Sequence, residues 1–255
     1  MRRDLDFHIH TIHLKCANET MTIPALLKRC EDEGLRVIGI ADHLNGPEFL
    51  EKHFLIKRNL AEAVTSLDVR FGVEVNVIAS DGSLSITREE KERAGFEFVI
   101  GGVHGTWLQQ GSLQEIMSVQ HKMMMRAMQQ PLLDVLVHPY WFPRDEFDSK
   151  SLPWPDDLSD VTPAMRSELS AASHERGVAI EVNAEAIFCN PTYSDRFKQD
   201  YAEYVADLHA EGATFSVASD AHDINHLGST RVVEDVLESI GVEDTRIWLP
   251  DRRSA

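Results

Sequence analysis

Short apolar runs alternate with amphipathic stretches along this chain, and the alternation predicts strands that are each followed by a helix. Runs rich in Val, Ile and Phe are typical of buried strands. The seven predicted strands cover residues 5–10, 36–41, 69–77, 96–101, 132–138, 178–183 and 214–218. The seven predicted helices cover residues 24–33, 47–66, 88–94, 113–129, 163–176, 194–211 and 230–239. Seven such units indicate a parallel sheet, either a closed seven-stranded barrel or an open doubly wound sheet.

The pattern runs through the chain without an interdomain linker. A length of 255 residues suits one large α/β domain, so we expect a single domain over residues 1–255. One irregular stretch, at about residues 140–160, is rich in Pro, Asp and aromatic residues. It follows the fifth strand and predicts a loop insertion.

Polar residues fall at the carboxyl end of strand after strand. In the first strand Asp6, His8 and His10 alternate with apolar residues and therefore share one face. Comparable positions on later strands hold Asp42, His43, Glu74, Asn76, His104, His138, Glu181, Asn183, Asp220 and His222. The carboxyl ends of barrel strands form the active-site face, so the six histidines, Glu74, Glu181, Asp220 and Asn183 are expected to converge there. Burial of so many polar groups is costly without partners, and divalent metal ions are natural partners of imidazole and carboxylate.

Composition narrows the range of functions. A net charge of −17 disfavours nucleic-acid binding but leaves a small anionic substrate open. The apolar runs are too short to span a membrane, and no signal peptide is evident. The three scattered cysteines do not form a disulfide framework, so a cytoplasmic location is expected. The sequence has no G-x-S-x-G elbow, Walker loop or dinucleotide fingerprint, and we therefore expect metal-activated water as the nucleophile.

Seven short motifs mark the predicted strand ends. They are DFHIHT at 6–11, ADH at 41–43, GVEVN at 72–76, GGVHG at 101–105, LVHPY at 136–140, IEVN at 180–183 and SDAH at 219–222. In this order they resemble the PHP family, the polymerase and histidinol phosphatase domain. The resemblance covers residue 6 to about residue 228. It implies an α/β fold, a distorted seven-stranded (β/α) TIM-like barrel, with two or three divalent metal ions. Sites that are rich in histidine and bridged by carboxylate accept zinc, manganese or iron.

The resemblance also implies a set of ligands for each ion. The first ion would be held by His8, His10, Glu74 and Asp220, the second by His43, His222 and Cys16, and the third by Glu74, His104 and His138. Cys16 stands where the family often has His or Asp, which is a departure from its pattern. Glu74 would bridge two ions, and Glu74, Asp220 and His222 are the expected catalytic residues.

Other polar residues receive supporting roles. Asp6 and Asp42 are expected to accept hydrogen bonds from ligand histidines and so orient them. Substrate contacts are expected from Asn183, His226 and Arg231. The remaining histidines of the predicted helices are expected at the surface; they are His53, His121, His174 and His209.

The leading hypothesis is a stand-alone phosphoesterase that acts on a small phosphorylated metabolite, such as histidinol phosphate or a nucleotide-derived phosphomonoester. One alternative hypothesis keeps the metal ions, but the bond that is hydrolysed would be a C–N, C–O or phosphodiester bond. A nuclease or proofreading module is disfavoured by the net charge of −17. A degenerate domain without activity is disfavoured because eight expected ligands are present. The substrate, the metals and the oligomeric state stay open.

Overall fold

Seven parallel strands form a nearly closed barrel in the computed structural model, which describes residues 4–250. Within those residues the strands are β1 (Leu5–Ile9), β2 (Val37–Ile40), β3 (His43–Leu44), β4 (Asp68–Asn76), β5 (Phe98–Gly102), β6 (Val135–Leu136), β7 (Ala179–Asn183) and β8 (Phe215–Ala218). The barrel order is β1-β2-β4-β5-β6-β7-β8, and every neighbouring pair is parallel. The two-residue β3 lies off this path and pairs with β4.

The barrel closes between its first and last strands. Just beyond β8, the backbone N–H of Asp220 donates to His8 O at 2.8 Å, and His10 N–H donates to Ala221 O at 3.2 Å. Ile9 and Ala221 thereby form a parallel bridge. The prediction of a seven-stranded TIM-like barrel is confirmed, and the open doubly wound sheet is excluded.

Helices surround the strands. Within residues 4–250 they are α1 (Ile23–Asp32), α2 (Leu50–Glu62), α3 (Arg88–Ala94), α4 (Leu113–Ala127), α5 (Arg144–Lys150), α6 (Pro163–Arg176), α7 (Asp195–Ala210) and α8 (Thr230–Ser239). The helix predicted over 47–66 ends early because Thr65 and Ser66 donate hydrogen bonds to Glu31 on α1. Of the helices in this described part, none is both long and apolar enough to cross a membrane.

The segment after β6 contains α5, so the prediction of an irregular loop at 140–160 is corrected. Phe142 and Phe147 of this segment are buried, and their ring centroids lie 5.0 Å apart. The apolar residues of the stretch build a small core that supports a short helix. A single domain over residues 1–255 stays a prediction. Residues 1–3 and 251–255 lie outside the described part of the chain.

The strand predicted over 132–138 is much shorter than expected, since β6 has two residues. His138 has a φ of 28° and Tyr140 has a φ of 60°, both on the left-handed side that extended strands do not use. The chain therefore turns at His138, and this histidine projects from a bend at the end of β6.

An apolar layer fills part of the barrel core. It consists of Ala41, Phe98, Ile100, Val135, Val137 and Ala179. Gly39 and Gly72 leave room for the Phe98 ring, because a Cβ at either glycine would lie 2.7 Å or 2.3 Å from it. Gly72 precedes Glu74 on β4, and Ala179 precedes Glu181 on β7. The apolar layer thus lies toward the amino ends of the strands, with polar residues at the carboxyl ends.

Candidate metal centre

The polar strand ends converge on one buried cluster at the carboxyl end of the barrel. All eight histidine and carboxylate ligands implied by the sequence are part of it: His8, His10, His43, Glu74, His104, His138, Asp220 and His222. Adjacent parallel strands end side by side, so one or two residues from each strand reach the same space. Which of them holds which ion stays a prediction.

Glu74 lies at the centre of the cluster, and its two oxygens face different histidines. Oε2 is 2.6 Å from His43 Nδ1, 3.3 Å from His8 Nε2 and 3.5 Å from His10 Nε2. Oε1 is 2.8 Å from His104 Nε2 and 3.5 Å from His138 Nε2. A carboxylate in this position has the geometry that a bridging ligand needs.

Asp220 faces the same histidines from the end of β8. Its Oδ1 lies 3.2 Å from His10 Nε2, and 3.5 Å from both His8 Nε2 and His222 Nδ1. The residue has a left-handed backbone with φ of 60°, and its N–H bond to His8 O holds that conformation in place. Strained backbone of this kind is concentrated at functional sites.

Three groups of side chains have ligand atoms within 4.8 Å of one another: His8, His10 and Asp220; His10, Cys16, His43 and His222; and His43, Glu74 and His104. Cys16 therefore lies in the cluster, with its Sγ 3.8 Å from His10 Nδ1. The first two groups include the residues expected for the first two ions, apart from Glu74. In the third group His43 takes the place expected for His138.

The donor atoms at the centre suit a cation. The side chains of His8 and His10 are fully buried, and carboxylate oxygens lie 3.2–3.5 Å from their Nε2 atoms, but neither atom makes a well-directed hydrogen bond within the described residues. Both atoms point at the carboxylates of Glu74 and Asp220. Buried nitrogens without partners are costly, and a divalent ion between imidazole and carboxylate groups would satisfy both.

The electrostatics keep the central carboxylates ionised. Burial opposes the charge on Glu74, but His43, His8 and His104 outweigh it and hold the Glu74 pKa well below its usual range. The pKa of Asp220 is lowered in the same way, against burial, by His8, His10 and His222. Burial and the charge of His222 hold the pKa of His10 well below its usual range, so its ring is neutral. Ionised carboxylates and a neutral imidazole are the forms that bind metals.

Asp6 and Asp42 do not touch the imidazole rings, which corrects the expectation that they orient ligands directly. Asp6 Oδ1 accepts from the backbone N–H groups of Ser219 at 2.9 Å and His8 at 3.3 Å. Asp42 accepts from the N–H of Thr11 at 2.9 Å and from its hydroxyl at 2.7 Å. Burial raises the pKa of each carboxyl to about 7. Both residues hold the backbone beside the ligands.

The carboxylate that does contact the ring of a predicted ligand is Glu181, which was expected on the active-site face but without a specific contact. Its Oε1 lies 2.8 Å from His8 Nδ1. Its Oε2 accepts from the N–H of His138 and from Asn183 Nδ2, both at 2.9 Å. The spacing of Glu181 and Asn183, two residues apart on a buried strand, is the sequence feature that marks this pair.

The three expected substrate contacts have different positions. Asn183 is fully buried, and its amide is bonded to Glu181, Asp220 and the N–H of Ala186, so it supports the cluster instead of facing substrate. His226 is about half exposed, with Nδ1 3.3 Å from Glu185 Oε2.

Arg231 does not lie near the cluster. Its guanidinium pairs with Glu33 at 2.9 Å and borders a small cavity with Asp4 and Leu35. Those two residues precede β1 and β2, so Arg231 lies at the amino end of the barrel strands. This position does not support the expected contact with substrate.

Two helical histidines are buried, and the expectation that they lie at the surface is wrong. His53 Nε2 lies 3.1 Å from His43 O, next to a predicted ligand. His121 lies between the Tyr140 hydroxyl at 2.8 Å and Glu168 Oε2 at 2.9 Å. Both face the strands or loops beneath their helices, where a hydrogen-bond partner offsets the burial of the ring.

The loop that carries His104 is fixed to α5. The buried Thr106 donates its N–H to Glu146 Oε2 at 3.1 Å and its hydroxyl to Oε1 at 3.0 Å. Lys150 Nζ donates to Glu146 Oε1 at 2.5 Å and to Leu108 O at 2.9 Å. The Trp141 ring lies 4.9 Å from that of His138 and 6.2 Å from that of His104. The inserted segment therefore supports one side of the cluster.

The chain is similar to one protein family model and to curated relatives. A family model described as the PHP domain matches residues 6–185. Two curated relatives are named as probable phosphatases, one from Thermoanaerobacter sp. (strain X514) and one from Thermoanaerobacter pseudethanolicus (strain ATCC 33223 / 39E). Each is 23% identical over 255 residues, which are 98% of this chain and 92% of the relative.

Two solved structures are similar at a lower level. An archaeal fructose 1,6-bisphosphate aldolase is 12% identical with a TM-score of 0.38, covering 92% of this chain and 93% of its own. A malate synthase of Haloferax volcanii is 12% identical with a TM-score of 0.35, covering 99% of this chain and 76% of its own. Likeness at this level says nothing about the activity of the chain.

Proposed function

The chain belongs to the PHP domain family, and from this premise we propose that it hydrolyses a small phosphorylated metabolite with the help of bound divalent metal ions. The family and the two relatives named as probable phosphatases support a metal-dependent phosphoesterase in general. The net charge of −17 favours a small substrate over a nucleic acid.

The observation that carries the proposal is the position of Glu74 among five histidines. Its two oxygens each face their own set of imidazoles within 3.5 Å. We assign two or three ions, of zinc, manganese or iron, to the cluster. Their ligands would be His8, His10, Cys16, His43, Glu74, His104, His138, Asp220 and His222.

Divalent ions bound there would supply Lewis acidity and lower the pKa of a coordinated water toward about 7. The protein's own part is to hold the donors in place and to position the substrate. Asp220, His222 and Glu74 border the reacting group in this proposal. The imidazole of His226 is held at Nδ1 by Glu185, which leaves Nε2 for a hydrogen bond to substrate or for the proton that the leaving group needs.

The direct test is hydrolysis by protein reconstituted separately with zinc, manganese and iron. The panel contains phosphomonoesters of sugars, amino alcohols and nucleosides, together with a phosphodiester, an amide and a lactone. We expect phosphate release from at least one monoester, its loss on chelation and its return with metal.

Two variants sharpen the assay. Glu74→Gln should lower the rate by roughly 100-fold or more because an amide nitrogen cannot ligate metal. Glu168→Gln removes a carboxylate that contacts His121 on the outside of the barrel and should keep the wild-type rate. A metal-loaded protein that cleaves only the amide, lactone or diester would overturn the proposed substrate class.

A further inference from the structure

We propose that Glu181 is a positioning residue that fixes the ring of His8 and the backbone of His138 at once, so that one carboxylate orients ligands of two different ions. The inference rests on the proposed metal cluster. It adds a residue that contributes no ligand atom and lies outside the three groups of donor atoms found among residues 4–250. Glu181 is 1% exposed, and both of its oxygens are engaged inside the protein.

The contact with His8 selects one form of the imidazole. A carboxylate accepts hydrogen bonds, so Glu181 Oε1 at 2.8 Å favours the proton on Nδ1 of His8. The lone pair is then on Nε2, the atom that lies 3.3 Å from Glu74 Oε2 and 3.5 Å from Asp220 Oδ1. With the opposite tautomer, the proton would occupy the position that a metal ion needs.

The contact with His138 fixes a bend. The N–H of His138 donates to Glu181 Oε2 at 2.9 Å, at a residue whose φ of 28° is rare for a side chain other than glycine. Asn183 Nδ2 donates to the same oxygen at 2.9 Å. Oε2 thus accepts two hydrogen bonds, from His138 and Asn183, and Oε1 accepts one from His8. Both oxygens must be acceptors, and only a carboxylate provides two acceptor oxygens at these positions.

Glutamine has nearly the same shape but cannot satisfy this arrangement. If its oxygen faces His138 and Asn183, its amide N–H faces His8 Nδ1 and favours the tautomer with a protonated Nε2. If it is turned over, the amide meets two donors at the bend of His138. Either orientation should weaken metal binding, by roughly 10- to 100-fold as is usual for residues that orient ligands.

The experiment measures zinc binding and histidine tautomers without using activity. Protein labelled with ¹⁵N at histidine is loaded with zinc, and two-bond ¹H–¹⁵N correlations assign the state of each ring, with His8→Gln identifying the signal of His8. In wild type we expect a protonated Nδ1 and a zinc-bound Nε2 for His8. In Glu181→Gln we expect a higher zinc dissociation constant and loss of that His8 signal.

The matched control is Glu168→Gln, which alters another carboxylate–imidazole contact, 2.9 Å long, away from the cluster. It should keep wild-type zinc binding. Wild-type protein with zinc on Nδ1 of His8 overturns the proposal even if Glu181→Gln fails to fold. Unchanged zinc affinity in a folded Glu181→Gln also overturns it. Wild-type protein that binds no metal would contradict the proposed function instead.

Discussion

Among single residues, Glu74 has the largest influence on the cluster, because its two oxygens divide five histidines into two sets. Oε2 lies within 3.5 Å of nitrogen atoms of His8, His10 and His43, and Oε1 lies within 3.5 Å of nitrogen atoms of His104 and His138. The histidines also determine its charge, since they keep the Glu74 pKa low despite burial. Removal of the Glu74 carboxylate should therefore weaken metal binding by both sets of histidines.

We predict that Glu74→Gln loses metal from more than one position, whereas a change at His104 alone affects one. Metal content after reconstitution and dialysis measures both, and anomalous scattering from crystals shows which positions empty. Glu168→Gln serves as the control for loss of a carboxylate elsewhere. A Glu74→Gln protein that loses a single ion would contradict the bridging role.

Cys16 gives a second prediction at this scale, because thiolate ligation has its own absorption. Its Sγ lies within 4.8 Å of donor atoms of His10, His43 and His222. Cobalt-loaded wild type should show a thiolate-to-cobalt charge-transfer band in the near ultraviolet, and Cys16→Ser should lose it. Cys189→Ser should keep the band, since Cys189 is in none of the three groups of donor atoms found in the described residues. A band that survives in Cys16→Ser would mean that Cys16 only contacts His10.

The sequence predicted which residues form the cluster better than it predicted the residues that orient them. Predicted ligands such as His8 and Asp220 occur at strand ends, and the alternation of side chains along a strand makes those positions recognisable in the sequence. The partner of a ligand depends on which side chain lies opposite it across the barrel. Glu181 is 173 residues from His8, whereas Asp6 and Asp42 are close in sequence but face backbone groups. Such pairings appear only once the strands are in register.

At the scale of elements, helix α2 supports the short strand β3 through a buried histidine. His53 Nε2 lies 3.1 Å from His43 O, and its side chain is fully buried. Burial lowers the pKa of His53 to about 4, so the ring is neutral at pH 7. The pattern of apolar residues in α2 could not reveal the burial of His53, because a polar residue does not by itself show whether it faces the barrel or the solvent.

We predict an acid-sensitive contribution to stability from His53. Its pKa in the unfolded chain is near 6.5, so the unfolded state takes up the proton first as pH falls. The contribution is intact above about pH 6.5 and is lost progressively toward pH 4, by roughly 2 kcal/mol at pH 5. Urea unfolding of His53→Gln should show a smaller loss of stability between pH 7 and pH 5. The same pH dependence in wild type and His53→Gln would contradict this, and exposed His174→Gln is the control.

At the scale of the whole molecule, the barrel layout was predictable but the segment after β6 was not. Seven repeated units predict a parallel sheet, the resemblance to the PHP family selects the closed barrel, and the polar ends of the strands indicate which end carries the site. Helix α5 escaped prediction because Pro and Asp are frequent in loops. Its buried Phe147 faces a core that forms only when the chain folds back on itself.

Metal should stabilise the whole barrel, since its ligands come from nearly every strand. Zinc at about 100 times its dissociation constant contributes roughly 2.7 kcal/mol per site. For a chain of this size, that corresponds to a rise in Tm of about 5–10 °C per site. Scanning calorimetry of metal-free protein with and without zinc measures the shift, and His8→Gln should show a smaller one. No shift at saturating zinc would contradict a structural contribution from the cluster.

The closure between β1 and the end of β8 also has a consequence for biosynthesis. His8 and His10 are synthesised more than 200 residues before Asp220 and His222, and backbone hydrogen bonds between these two segments close the barrel. At a synthesis rate of about 5–20 residues per second, the early histidines wait roughly ten seconds or more for their partners. A nascent chain therefore exposes an incomplete set of the proposed ligands until Asp220 and His222 have been synthesised and the last strand has joined the first.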